Sequence, residues 1–277
     1  MKIFRNKSVV ITGAGSGMGR ALAMQLGSYG ANVVATDIDE EAAQVTAREI
    51  KRKDGHASYH PLDVRDRDAF RSLLKGVVGD YGTLDYLFNN AGIAIFGEVR
   101  DQSEEDWQRV IDINQMGVLY GTLAAYEIMC RQGSGHIVNT ASIAGLSATP
   151  LLTPYSMTKH AVVGLSMSLR EEAKGLGVKV STVCPGLIRT SIADGNFARA
   201  SHFPDAFGFL EEKLRIRPLS ADEAAKYILK GVKKNQAQII FPAHGRSMVN
   251  AYRYLAGVNS SVHQLLLKFY RRDYRHQ

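Results

Sequence analysis

Only two cysteines occur in 277 residues, Cys130 and Cys184, and neither sits near other metal-ligand types at metal-site spacing. That excludes a disulfide scaffold and a cysteine-based metal site, and points to a reducing compartment with both thiols as small core residues. No run of about 18 uncharged apolar residues exists, so nothing reads as a membrane span. The opening segment, MKIFRNKSVVITG, passes from a short polar lead directly into an apolar strand, which leaves no room for a secretory leader and places the protein in the cytoplasm. Seven prolines and 26 glycines are too few for a collagen-like or low-complexity chain, and 45% hydrophobic content is enough for a full core.

The net charge of +7 is unevenly spread. Beyond residue 243, Arg246, Arg253, Lys268, Arg271, Arg272 and Arg275 stand against Asp273 alone, while the body is nearly neutral. A neutral body without a reading motif argues against nucleic acid as a partner. In the tail, Val262, Leu265, Leu266 and Phe269 recur at helical spacing beside basic residues. Such a stripe suits packing on the body or on a neighbouring subunit; a weak contact with an anionic membrane surface is the other reading.

Short Val/Ile-rich runs alternate with longer amphipathic stretches, the pattern of βαβ units in a parallel sheet. Strands are expected near 8–12, 32–37, 57–62, 84–88, 135–140, 178–184 and 238–241. Helices are expected near 17–29, 40–53, 66–81, 104–132, 154–176 and 221–235, the last opened by a Ser220/Glu223 capping box. The fold class is therefore α/β: one doubly wound, Rossmann-type domain of about seven strands over residues 1–243, with a basic helical extension over 244–277. Residues 187–217, rich in phenylalanine, are too long for an ordinary connection and read as a substrate lid.

The first strand runs through Thr12 into Gly13-Ala-Gly15-Ser16-Gly17-Met18-Gly19 and then a helix. Glycines there let a backbone approach a pyrophosphate, and the helix N-terminus supplies N–H donors. Asp37 ends the second strand, where a carboxylate can accept hydrogen bonds from an adenine ribose and would repel a 2′-phosphate. No Lys or Arg lies inside the glycine loop, so the expected cofactor is NAD rather than NADP. Helix capping is the bland role for Asp37, although Asp39 is equally placed for it. Tyr155 and Lys159, four apart on a helix, share one face, so an ammonium can lower the phenol's pKa toward a usable general acid/base. Ser142 follows the fifth strand at the edge of the sheet where ligands bind, and its hydroxyl can donate to a carbonyl oxygen.

TGAGSGMG at 12–19, Asp63-Val64, Asn89-Asn90-Ala91-Gly92, Asn114, Ser142, Tyr155-xxx-Lys159 and Pro185-Gly186 with Thr190 occur in an order that resembles the short-chain dehydrogenases/reductases, in their single-domain branch. The resemblance implies that Tyr155 passes a proton, Lys159 holds the nicotinamide ribose, Ser142 orients the substrate oxygen and Asn114 braces a water in a proton relay. It also places Asp63 and Val64 beside the adenine, Asn90, with Ala91 and Gly92, beside a ribose, and Ile188 or Thr190 beside the carboxamide. A homodimer or homotetramer is implied as well, with the helices of 104–132 and 154–176 as contacts. The uncharged stretch 143–153 and the lid residues Ile192, Phe197, Phe203, Phe207 and Phe209 suggest a hydrophobic alcohol or ketone, such as a steroid, retinoid, lipid-derived or aromatic carbonyl. The alternative is a non-catalytic NAD(H)-binding redox sensor on the same fold.

Overall fold

The architecture follows from two periodicities. In the first strand Val9 and Ile11 face one helix layer and Val10 the other, and every residue of the strand is buried. The computed structural model describes residues 1–190, 217–254, 263–264, 267–268 and 270–272. Chain order is β1 (Ser8–Thr12), α1 (Gly17–Ser28), β2 (Asn32–Asp37), α2 (Glu40–Arg52), β3 (His56–Pro61), α3 (Arg67–Tyr81) and β4 (Tyr86–Asn89). The second half continues through α4 (Glu104–Ile111), α5 (Gly117–Gln132), β5 (Gly135–Thr140), α6 (Thr153–Glu172), β6 (Val178–Pro185), β7 (Ile188–Arg189), β8 (Leu219–Ser220), α7 (Ala221–Lys233), β9 (Gln238–Phe241) and α8 (Ala243–Tyr254).

Seven parallel strands form one sheet in the order β3-β2-β1-β4-β5-β6-β9. The order reverses between β1 and β4, and in such sheets ligands settle in the crevice outside the carboxyl ends at that point. On one face Leu22 and Leu26 of α1 pack with Ile228 and Leu229 of α7; on the other, Phe70 and Leu74 of α3 pack with Met129 of α5. Local signals set the helix ends. Asp39 and Asp66 cap α2 and α3 through backbone N–H groups, and the Ser220/Glu223 capping box opens α7 as expected.

Two features depart from the sequence reading. The stretch 104–132 is not one helix: a π-helical turn over Asp112–Met116 separates α4 from α5 and carries the buried Asn114. One surplus residue in a helix leaves no mark on propensity or periodicity, which is why the pattern ran on unbroken. The short parallel pair β7–β8 was also unanticipated, since two-residue strands have no period to read. Most of the expected lid, including Phe197, Phe203, Phe207 and Phe209, lies outside the described residues, as do Val262, Leu265, Leu266 and Phe269 of the tail.

Candidate active site

At the carboxyl edge of β1 the glycine turn closes against itself. A Cβ on Gly19 would lie 2.0 Å from the Gly13 carbonyl oxygen and 2.6 Å from Asn90 Nδ2, so the turn tolerates no side chain there. Gly13 adopts φ +65°, a conformation that glycine takes without strain. The turn lines a cleft of about 310 Å³ together with Ser16, Gly17, Met18, Asp37, Asp63, Val64, Asn90, Ala91, Gly92 and Thr190. These positions come from five separate stretches of chain, and each was expected at a cofactor.

Asp37 does not cap α2. Its Oδ2 accepts the Gly15 N–H at 2.9 Å and its Oδ1 accepts the Asp39 N–H at 3.1 Å, while Asp39 caps the helix through Ala42. The carboxylate is thereby held at the cleft wall. No Lys or Arg is among the described residues lining this cleft. Arg20, the first arginine after the glycines, is engaged by Glu49 at 2.7 Å. Asp63 is clamped by Arg65 Nη2 at 2.6 Å, and the Arg65 hydrogen bonds hold its carboxyl below the usual range. Asn90 donates from Nδ2 to the Thr12 carbonyl at 3.0 Å, whereas its buried Oδ1 has no hydrogen-bond partner among the described residues.

Four lining residues were missed by the sequence reading: Ile38, Leu62, Ile93 and Ile113. Ile38 carried a signal, an apolar side chain directly after the acidic end of β2, and it is 68% exposed. Gly19, Pro185, Gly186 and Ile188 do not line the cleft. Gly19 closes the turn, and Gly186 donates its N–H to the Phe241 carbonyl at 2.7 Å. Pro185 presents its carbonyl to Ser142 Oγ at 3.5 Å. Ile188 is buried in the core as part of β7, and the pairing of β7 with β8 precedes Thr190, whose methyl would meet a Cβ on Gly17 at 3.3 Å.

Gly92 joins the cleft to a second cluster. A Cβ there would lie 3.1 Å from Asn114 Oδ1 and 3.4 Å from Lys159 Nζ. Asn114 clamps the backbone of Ile93 from both sides, accepting its N–H and donating to its carbonyl, each at 2.8 Å. Its Nδ2 also reaches Thr158 Oγ1 at 3.4 Å. Lys159, only 2% exposed, donates to the Thr140 carbonyl at 2.9 Å and places Nζ 5.4 Å from the centre of the Tyr155 ring. Ser142 Oγ accepts the Ala144 N–H at 3.1 Å and hydrogen-bonds Tyr155.

The electrostatics correct one expectation. The Tyr155 phenol is shifted up, not down: burial raises it, and the hydrogen bond with Ser142 only partly opposes that. Burial also lowers Lys159 to about 8, opposed by neighbouring Cys184. The enclosure that brings an ammonium onto the phenol strips water from both groups, and desolvation penalises each charged form. Cys184 itself is fully buried, its thiol pushed up to about 12 by burial, as befits a core residue. No cluster of three or more metal-ligating side chains occurs among the described residues, and none of their helices is long and apolar enough to cross a membrane.

Comparison with known proteins places this geometry. The short chain dehydrogenase family model matches residues 7–200. A Mycobacterium tuberculosis protein named as the oxidoreductase SadH is 35% identical over 270 residues, 96% of each chain. A short chain dehydrogenase/reductase from Burkholderia phymatum, solved in complex with NAD, superposes with a TM-score of 0.82 at 32% identity, covering 90% of this chain and 94% of that one. Levodione reductase superposes with a TM-score of 0.75 at 28% identity, covering 86% and 95%.

Proposed function

The chain belongs to the short chain dehydrogenase family, and from that premise we propose that it is an NAD-dependent oxidoreductase interconverting a hydrophobic secondary alcohol and its ketone. The observation that carries this reading is the cluster of Ser142, Tyr155 and Lys159, which Gly92 joins to a cleft lined by a glycine turn and an acidic strand terminus.

The residues present fit a dinucleotide. The turn at Gly13 and Gly19 admits only bare backbone, the buried Asn90 Oδ1 is an unsatisfied acceptor in the cleft wall, and Asp37 offers a carboxylate to ribose hydroxyls. A 2′-phosphate would meet that carboxylate with no lysine or arginine among the described lining residues to offset the repulsion, which supports NAD over NADP. Nicotinamide, when bound, supplies or accepts the hydride.

The protein's own part is proton transfer and orientation. Ser142 donates to the substrate oxygen, and Tyr155 exchanges the hydroxyl proton. Because burial keeps the phenol protonated at neutral pH, Tyr155 stands ready as the acid that ketone reduction requires. Alcohol oxidation requires the phenolate, which a Ser142 hydrogen bond favours. Lys159 offers an ammonium to ribose hydroxyls from beneath the ring, and Asn114 fixes the Ile93 backbone between cleft and catalytic cluster. In this reading Asn114 acts first as that clamp, and a braced water would have to share its remaining hydrogen-bonding capacity.

An apolar substrate is supported by residues 143–153, which carry no charge. Exposed Leu123 on α5 and Met157 on α6 support a homo-oligomer built on those helices. The test is a fluorescence titration with NADH and NADPH, followed by a panel of secondary alcohols and ketones with the cofactor that binds. Tighter NADH binding with turnover of bulky apolar members is expected. Binding without turnover across a broad panel would instead favour the redox-sensor alternative, and equal turnover of a charged sugar would refute the apolar site.

A further inference from the structure

The basic tail has a partner inside the body. Arg271 donates from Nε to Glu98 Oε1 at 2.7 Å, although 173 residues separate them. Arg100 takes the other carboxylate oxygen, with Nε 2.8 Å from Oε2. Glu98 is only 8% exposed, and the neighbouring tail residue Tyr270 is 3% exposed. Burial pushes the Glu98 carboxyl up, but the hydrogen bonds from Arg100 and Arg271 outweigh it and hold the group below its ordinary value. A buried carboxylate needs such compensation, and here half of it comes from the far end of the chain.

Glu98 ends a segment that begins in the cleft. Gly92 lies against Asn114 and Lys159, Ile93 is clamped by Asn114, and Ala94 and Ile95 are buried. Gly97 then donates its N–H to the Leu151 carbonyl at 3.0 Å and accepts from Gln102 Nε2 at 3.0 Å. Leu151 is a buried non-glycine residue at φ +68°, four positions before Tyr155. Backbone in that region costs free energy and persists only where its surroundings hold it.

Resting on the dehydrogenase reading, we propose that Arg271, near the C-terminus, helps to build the substrate site. Arg271 is a positioning residue: by holding Glu98 it fixes the segment 92–98 against Leu151, and so fixes the wall that leads into Tyr155. The positive charge of Arg271 then has an internal use, and substrate affinity depends on it while cofactor affinity does not. The coupling runs through two anchored ends, Asn114 on Ile93 and Arg271 on Glu98.

The test compares the full-length parent with Arg271→Ala and Arg271→Lys by hydrogen exchange and by kinetics. Arg100 still holds Glu98 in both variants, so the fold is expected to persist. In Arg271→Ala the Gly97 amide and the backbone of 146–155 should exchange roughly tenfold faster, the equivalent of one charge-assisted hydrogen bond, and Arg271→Lys should recover part of that protection. The KM of any alcohol that the parent oxidises should rise several-fold with kcat largely kept and NADH affinity unchanged. Parental exchange rates in those two segments would overturn the proposal, as would an unchanged KM. If the parent fails to bind NADH, the dehydrogenase reading falls and the substrate role with it, whereas the exchange rates still decide whether Arg271 secures Leu151.

Discussion

Replacing Lys159 with methionine separates what the site costs from what it does. The two side chains are similar in length, so packing changes little, while the buried ammonium disappears. Burial lowers Lys159 from 10.5 to about 8. At about 1.36 kcal/mol per unit, the native state carries the charge at a cost of about 3 kcal/mol at pH 7. Above pH 8 the native lysine is neutral while the unfolded chain still binds the proton up to about 10.5, so the cost shrinks as pH rises. By pH 10 it falls to about 1 kcal/mol. Unfolding in urea, followed by circular dichroism at pH 7 and pH 10, reads this directly. The difference in stability between parent and Lys159→Met should move in the parent's favour by about 2–3 kcal/mol across that range. The lost hydrogen bond to the Thr140 carbonyl displaces both ends equally and leaves the slope alone. A difference flat with pH would refute the reasoning, because it would mean that Lys159 is not desolvated in the native state. The same variant should bind NADH more weakly and lose turnover, which would mark Lys159 as a residue kept against stability.

Further tests address the cofactor, the proton and the core. Asp37→Ser should raise the relative affinity for NADPH by about tenfold or more through loss of one charge repulsion, measured by paired NADH and NADPH titrations. Gly19→Ala should abolish binding of both, since its Cβ has no room beside the Gly13 carbonyl, with circular dichroism checking that the sheet survives. Tyr155→Phe should lower kcat by roughly 10²–10⁴-fold, the usual worth of a positioned acid/base, with NADH affinity retained; near-parental turnover would remove the proton-transfer role. Buried His136, against Ser181 Oγ at 2.9 Å, is pushed down to about 3 by burial and by the charges of Lys179 and Arg170. Because only the unfolded state takes up that proton below about pH 6.5, the parent should lose roughly 3 kcal/mol between pH 7 and pH 4 at this site, and His136→Gln should flatten that part of the profile.

The Rossmann-type sheet was legible because its cues are local. The unbroken apolar run Val9, Val10 and Ile11 marks a strand buried between two layers, glycines at 13, 17 and 19 mark a turn into a helix, and Ser220 with Glu223 announces a helix start. Spacing likewise put Tyr155 and Lys159 on one helical face. Each of these signals is spent within a few residues, the range over which backbone geometry and hydropathy repeat.

What only the tertiary structure decided lies at longer range. The π-helical turn that buries Asn114 depends on the backbone of Ile93, and the place of Thr190 depends on β7 meeting β8. The pairing of Glu98 with Arg271 joins residues with no period in common. Charge state belongs to the same class. The sequence brings Lys159 to Tyr155, but the sign of the shift at the phenol follows from how much water the surrounding chain removes. Burial is a property of everything packed around a group, so the sequence determined which side chains meet, and the folded enclosure decided what their meeting costs.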